Sequence, residues 1–287
     1  MNREGIRLNL RSIRNLKTLP VIVLRIQEMA ADVGSSANQL AEVVAQDQAT
    51  SAKVLNLANS AFYGFSRKIS TIRQAVVVLG FDTIRSLALS VAVYDTFSEP
   101  SGVVSFDREA FWMHSIGCGT ASRLISKEME LRDGGTYFSA GLLHDLGKMI
   151  LDMHFGDQYR DVVAQIAASG RPAWHVEQEL LDIDHSEVGG LLAQQWKFPE
   201  VLVNPISFHH DPLSAHSEFL RATLVVHLGD ILARRADIGM GHEARVPEPV
   251  DLVYSELGLS DDQLDRIEVD LEEEKDSILE FLSLLGG

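Results

Sequence analysis

The chain has 287 residues, 46% of them hydrophobic and 23% charged, enough apolar material for a full core, which excludes disorder as its general state. Its 41 acidic residues against 25 basic ones leave a formal charge of −16, which repels a polyanion and excludes extended nucleic-acid binding as the main role. The single cysteine, Cys118, and the absence of CxxC spacings exclude a disulfide framework and a thiolate zinc site, so a reducing cytoplasm is the expected compartment.

The N-terminal MNREGIRLNLRSIRNLK is basic but lacks an apolar run followed by a small-residue cleavage site, and export is not expected. The longest stretch free of charge and histidine, Val54 to Ser66, falls well short of the ~20 apolar residues needed to cross a bilayer, so no membrane span is predicted. Further on, Ile72, Ala75, Val76 and Leu79 follow i, i+3, i+4, i+7, and Gly80 stands where a helix end favours a left-handed residue. Asp82 is a candidate N-cap for a second helix from about Thr83 to Phe97. SEPSGVVS, from Ser98 to Ser105, reads as the main linker, and Asp107 as the cap of a helix from Arg108 to about Met129. The β-branched runs Val21 to Leu24 and Val76 to Leu79 sit inside longer helical patterns with no alternating partner segment. The prediction is therefore an all-α fold. A second break, around Asp237 to Pro249, precedes DDQLDRIEVDLEEEKDS, which reads as the polar face of a terminal helix. These breaks divide the chain into 1–105, 106–240 and 241–287.

The residues that could carry chemistry are histidines and carboxylates. FWMHS holds His114, GLLHDLGK holds His144 and Asp145, DHSEVGG holds His185, and ISFHHDP holds His209 and His210. Divalent ions such as manganese, iron and zinc take imidazole and carboxylate ligands together, and this mix suits one or two of them. In a continuous helix His144 and Lys148 would share a face, with Asp145 about 100° round and able to converge with His144 on one ion. The alternative is a capping or surface aspartate beside a buried histidine, although an unpaired pair amid Leu142, Leu143, Leu146, Met149 and Ile150 would be costly. His209–His210 could donate two nitrogens to a cavity or simply end a helix. In LVVHLGDILA, His227 and Asp230 share a face, and either could be a ligand with the other supporting it.

Other features have ordinary explanations beside their functional ones. Cys118 in IGCGTAS reads as a small packing residue. His154, His175, His216 and His242 are expected at helix ends or in loops. The cluster Arg67, Lys68, Arg73 and Arg85 could hold a small phosphorylated ligand but fits a solvated surface better. AFYGF, Ala61 to Phe65, could grip a ligand, with Asn59 or Ser60 offering polar contacts, but is expected to fasten the N-terminal layer together.

The order His114, His144-Asp145 with Lys148, His185, His209-His210 and Asp230 resembles the HD superfamily of metal-dependent phosphohydrolases. KVLNLANSAFYGFSRKISTIRQAVVVLGFDTIRSLALS, from Lys53 to Ser90, resembles more specifically the HDOD family, the HD-related output domain of bacterial signalling proteins. The resemblance, covering roughly Leu16 to Arg235, implies an N-terminal helical subdomain packed on an HD-type helical core, with a regulatory role. It places His114, His144, Asp145 and Asp230 around one ion and His185, His209 and His210 around a second, bridged by Asp145. Iron or manganese is the first expectation, with zinc, magnesium or nickel compatible. It further implies a signalling protein partner or a small phosphorylated ligand, and a homodimer is compatible with it. The alternative it implies is phosphomonoester or phosphodiester hydrolysis by a metal-activated hydroxide, with Asp145 and Lys148 as the catalytic residues. The branch that cleaves cyclic dinucleotides carries a glycine-rich GYP segment after the paired histidines, whereas Asp211 to Leu228 contains no glycine here. Ala110, four residues before His114, gives no carboxylate for a third ion.

Overall fold

A computed structural model describes residues 21–31, 37–65, 67–98, 105–239 and 246–286. Among them are fifteen α-helices and no strand, as the periodicity predicts. The linker assigned to Ser98–Ser105 falls largely outside the described residues, as do the N-terminal segment, His242 and part of the break after Asp237.

The first layer is built from α1 (Val21–Ala31), α2 (Ala37–Ala45), α3 (Gln48–Ala58), α4 (Ile72–Leu79) and α5 (Phe81–Ser98). Thr71 caps α4 through the Gln74 N–H, and Gly80 closes it at φ +91°, a conformation an L side chain would strain. α5 starts two residues before the predicted Thr83. Asp82 therefore lies in its first turn rather than at its cap. There the carboxylate still faces the positive end of the helix dipole, so the sequence signal is real but displaced.

The second part begins with α6 (Arg108–Glu128), capped by Asp107 through the Glu109 and Ala110 N–H groups. It continues through α7 (Gly134–Leu143), α8 (Leu146–Ser169), α9 (Ala173–Leu181), α10 (His185–Gln195), α11 (Glu200–Phe208) and α12 (Leu220–Arg235). α6 packs on α7 and α12, while α10 packs on α8 and α11. The α6–α7 contact is backbone to backbone, because a Cβ on Gly141 would stand 2.7 Å from the Cys118 carbonyl. Cys118 itself is fully buried there, consistent with a packing residue.

The chain ends in α13 (Val253–Leu257), α14 (Asp261–Glu273) and α15 (Lys275–Gly286), with α14 and α15 lying against α6. α14 opens on a full capping box between Ser260 and Gln263. Phe62 meets Phe138 of α7 at 5.8 Å and Phe281 of α15 at 5.1 Å between ring centroids. AFYGF is thus a fastener that ties the first layer to both later segments, as its ordinary reading expects. Asn59 secures the loop beyond it, donating to the Ile69 carbonyl and accepting from the Ile69 N–H.

Candidate metal centre

Five separate stretches of chain deliver the candidate ligands to one buried point. His114 comes from the second turn of α6, His185 opens α10, His209 ends α11 with His210 behind it, and Asp230 lies on α12. His144 and Asp145 occupy the junction between α7 and α8. This corrects the expectation of a continuous helix through HDLGK. Asp145 departs from helical geometry at φ −96°, ψ 5°, so His144 caps one helix and Asp145 precedes the next. The break turns the carboxylate toward α6, α10 and α11 instead of along a single helix face.

The two oxygens of Asp145 divide the site. Oδ1 lies 3.0 Å from His185 Nε2 and 3.7 Å from His209 Nε2. Oδ2 lies 3.4 Å from His144 Nε2 and 3.9 Å from His114 Nε2. Two groups of donor atoms result, Asp145 with His185, His209 and His210, and Asp145 with His114 and His144, each close enough to hold one ion. Asp230 borders the second group, its Oδ1 2.9 Å from His114 Nε2 and 3.7 Å from His144 Nε2. Arg234 also donates to that oxygen, at 2.7 Å. Lys148 donates to Asp145 Oδ2 at 2.8 Å, so its charge is set against the central carboxylate.

The rings are oriented from behind. His144 Nδ1 points at the Gly141 carbonyl at 2.6 Å and His209 Nδ1 at the Ile206 carbonyl at 3.1 Å. A carbonyl can only accept, which places a proton on Nδ1 and turns each Nε2 inward, where an ion could take its lone pair. Both Nε2 atoms are buried without a hydrogen-bond partner. His210 Nε2 also lies 2.9 Å from His185 Nε2. The donor set thus suits a divalent cation, because converging lone pairs in an apolar interior repel one another until a positive charge sits among them.

His227 does not join them. Its Nδ1 donates to the His209 carbonyl at 2.7 Å and its Nε2 accepts from the Val250 N–H at 3.1 Å, so it braces the turn carrying His209. Lys148 and Asp230 face the site. His154 lies within α8 rather than at a helix end, while His175 and His216 are exposed. Arg67, Lys68 and Arg73 are exposed, whereas Arg85 pairs with Asp133 at 3.2 Å and leaves the basic cluster.

One residue escaped the sequence reading. Glu177, on α9, is fully buried and accepts from the His185 backbone N–H at 2.8 Å and from its Nδ1 at 2.6 Å. Its other oxygen accepts from the Tyr159 hydroxyl at 2.8 Å. The available signal was an acid on the apolar face formed by Ala173, Val176 and Leu181. Replacing Glu177 with glutamine should weaken metal binding by about 10- to 100-fold, measured by competition with a chromophoric chelator, and should also lower the thermal unfolding midpoint of the metal-free protein below about pH 9, where it removes the charge that faces protonated His185.

Burial and neighbouring charge pull the rings apart in acidity. Burial opposes a charge on His185, yet Glu177 and then Asp145 carry it up to about 9. Burial lowers His209 to about 4 and holds His210 well down, with His209 adding to the effect. Burial also opposes ionisation of Asp145, but His144, Lys148 and His185 outweigh it and keep the carboxylate well below its ordinary range. In the metal-free protein a proton therefore stands on His185 below about pH 9. An ion among Asp145, His185, His209 and His210 must displace it, and an ion in the other group must displace a proton from His144, where burial opposes the charge but Asp145 holds the ring well above its ordinary value. The apparent affinity of each group should therefore rise roughly tenfold per pH unit while its histidine carries that proton. Calorimetry in buffers of different ionisation enthalpy would count the released proton.

The family model of the HDOD domain matches residues 16–212, more than half of the chain. The protein is a member of the HDOD family. The crystal structure of an HDOD domain protein from Geobacter sulfurreducens superposes with a TM-score of 0.79 at 28% identity, over 95% of this chain and 96% of that one. A protein of Shewanella amazonensis SB2B, provisionally named a phosphohydrolase, superposes at 0.76 with 24% identity over 98% of both chains. One from Marinobacter aquaeolei VT8, provisionally named a signal transduction protein, superposes at 0.77 with 22% identity over 99% of this chain and 66% of that one. An uncharacterized protein of Treponema pallidum is 24% identical over 229 residues, and this chain spans 43% of its length. No helix among the described residues is long and apolar enough to cross a membrane.

Proposed function

We propose that this chain is a signal-transduction module whose HD-type pocket holds one or two divalent ions, iron or manganese first, and uses them to bind a small phosphorylated ligand for a protein partner to sense. The observation that carries this reading is the convergence of inward Nε2 atoms on both sides of Asp145, two of them buried without a partner. Asp145, His185, His209 and His210 would hold one ion. His114, His144 and Asp145, with Asp230 at the edge, would hold the other.

A bound ion would supply Lewis acidity toward a phosphoryl oxygen and lower the pKa of a coordinated water. The chain's own residues do the rest. Asp145 spans both groups, Glu177 fixes the His185 tautomer, and Lys148 and Arg234 balance the carboxylates. The missing glycine-rich segment after His210 and the name of the Marinobacter relative favour sensing.

Hydrolysis is the second reading, favoured by a ligand set that spans both groups and by the name of the Shewanella relative. The deciding experiment is titration of inorganic phosphate into manganese-loaded and metal-free protein, followed by p-nitrophenyl phosphate turnover. Metal-dependent phosphate binding without turnover is expected. Absence of phosphate binding would sink the proposal, and metal-dependent turnover lost in Asp145→Ala would establish the hydrolase instead.

A further inference from the structure

A small cavity of about 60 Å³, partly open to solvent, stands directly over the candidate centre. Its floor is formed by His114, Asp145, Lys148 and Arg234, and its walls by Phe106, Phe111, Tyr159, Val163, Ile166 and Ala173. Three of the wall side chains are aromatic, and Phe106 lies 5.8 Å from Phe111 and 6.1 Å from Tyr159 between ring centroids. From this division between a charged floor and an apolar wall, we infer that the pocket selects the phosphate ester of an apolar, hydroxyl-poor alcohol or phenol over a nucleotide. The inference rests on the metal-assisted phosphate binding proposed above and adds the chemistry of the organic part.

Charge determines which end of the ligand goes down. The buried carboxylates around the floor are Asp145, Asp230 and Glu177, and the cations are Lys148 and Arg234. With neutral ligand rings the cluster is one negative charge in excess, so one divalent ion leaves it positive and a second leaves it more so. A buried positive excess calls for an anion, and the ester phosphate is the anionic part of the ligand.

The wall then decides what hangs from the phosphate. The Tyr159 hydroxyl is already given to Glu177, and Oδ1 of Asp107, at the rim, is taken by the Glu109 and Ala110 N–H groups. Valine, isoleucine, alanine and phenylalanine side chains supply neither donor nor acceptor. A ribose and a nucleobase placed here would exchange hydrogen bonds with water for contact with hydrocarbon. An aryl or alkyl group meets no such cost and removes its own surface from water.

The test is calorimetric titration of the full manganese-loaded chain with 2-naphthyl phosphate, adenosine monophosphate and inorganic phosphate. Naphthyl phosphate is expected to bind about 10- to 100-fold more tightly than inorganic phosphate and at least about tenfold more tightly than the nucleotide. Ala110 also lines the cavity, so Ala110→Phe, which fills it, and Val163→Asn, which makes its wall polar, should each bring the naphthyl-to-phosphate affinity ratio close to one. Phosphate binding with naphthyl phosphate no tighter, or with the nucleotide equal to it, would overturn the apolar selectivity alone. Failure of inorganic phosphate and both esters to bind would overturn the selectivity together with the anion-binding reading beneath it.

Discussion

Purified without chelator or oxygen, the wild-type protein should carry near two equivalents of iron or manganese, and Asp145→Ala should carry almost none. Both donor groups depend on this one carboxylate, Oδ1 serving the His185, His209 and His210 side and Oδ2 the His114 and His144 side. Among the described residues both donor groups share this carboxylate alone, and the neighbouring one of Asp230 is engaged by His114 and Arg234. Elemental analysis by mass spectrometry reads the result directly. The alanine variant also removes the carboxylate that Lys148 faces at 2.8 Å, and breaking a buried ion pair costs about 3 to 5 kcal/mol. Asp145→Asn keeps the volume and one oxygen, so its metal content separates loss of ligation from loss of fold. Metal retained at wild-type levels in a folded Asn variant would refute the bridging role, and failure of the wild type to take up metal even on reconstitution would remove the centre altogether.

The second large effect is predicted at a residue with no side chain. A Cβ added at Gly147 would stand 1.8 Å from the His185 carbonyl oxygen and 2.8 Å from the Gly189 nitrogen, both main-chain atoms that cannot swing away. α8 and α10 would have to separate, and His185 would leave the centre with its helix. Gly147→Ala should therefore destabilise the protein by about 3 kcal/mol or more and also weaken metal binding. Gly170 provides the contrast. It closes α8 at φ +62° with nothing within 4 Å of an added Cβ, so Gly170→Asn, a residue that tolerates the left-handed region, should cost less than about 1 kcal/mol. Denaturant unfolding of the two variants, with the midpoint shift read at constant slope, makes the comparison. Equal costs would show that the α8–α10 contact is looser than its geometry implies.

These two predictions concern adjacent parts of one motif. The glycine of HDLGK lets α8 approach α10, and the break at His144–Asp145 aims the carboxylate at the point where the rings meet. Glu177, on α9, and His227, one turn before Asp230 on α12, complete the support. Sensing and hydrolysis both need this support, since each requires a fixed set of donors in a site largely closed to water.

Local chemistry was legible in the sequence. The spacing of Ile72, Ala75, Val76 and Leu79, the stop at Gly80 and the cap at Asp107 express preferences within one or two helical turns, and the structure shows each where it was expected. The candidate ligand types were legible as well, because imidazole and carboxylate side chains embedded in apolar runs are costly without a purpose. The direction of those side chains was not. Whether HDLGK continues as a helix, whether His227 or Asp230 faces the centre, and which ring nitrogen is left bare depend on carbonyls and backbones brought from other parts of the chain. Glu177 lies eight residues from His185 and on a different helix, and the cavity wall combines residues from Phe106 to Ala173. The sequence by itself determined an all-helical chain with metal-binding residue types. Only the packing of α6, α7, α8, α10, α11 and α12 decided that those residues meet, since convergence is a property of distances between helices and not of any one of them.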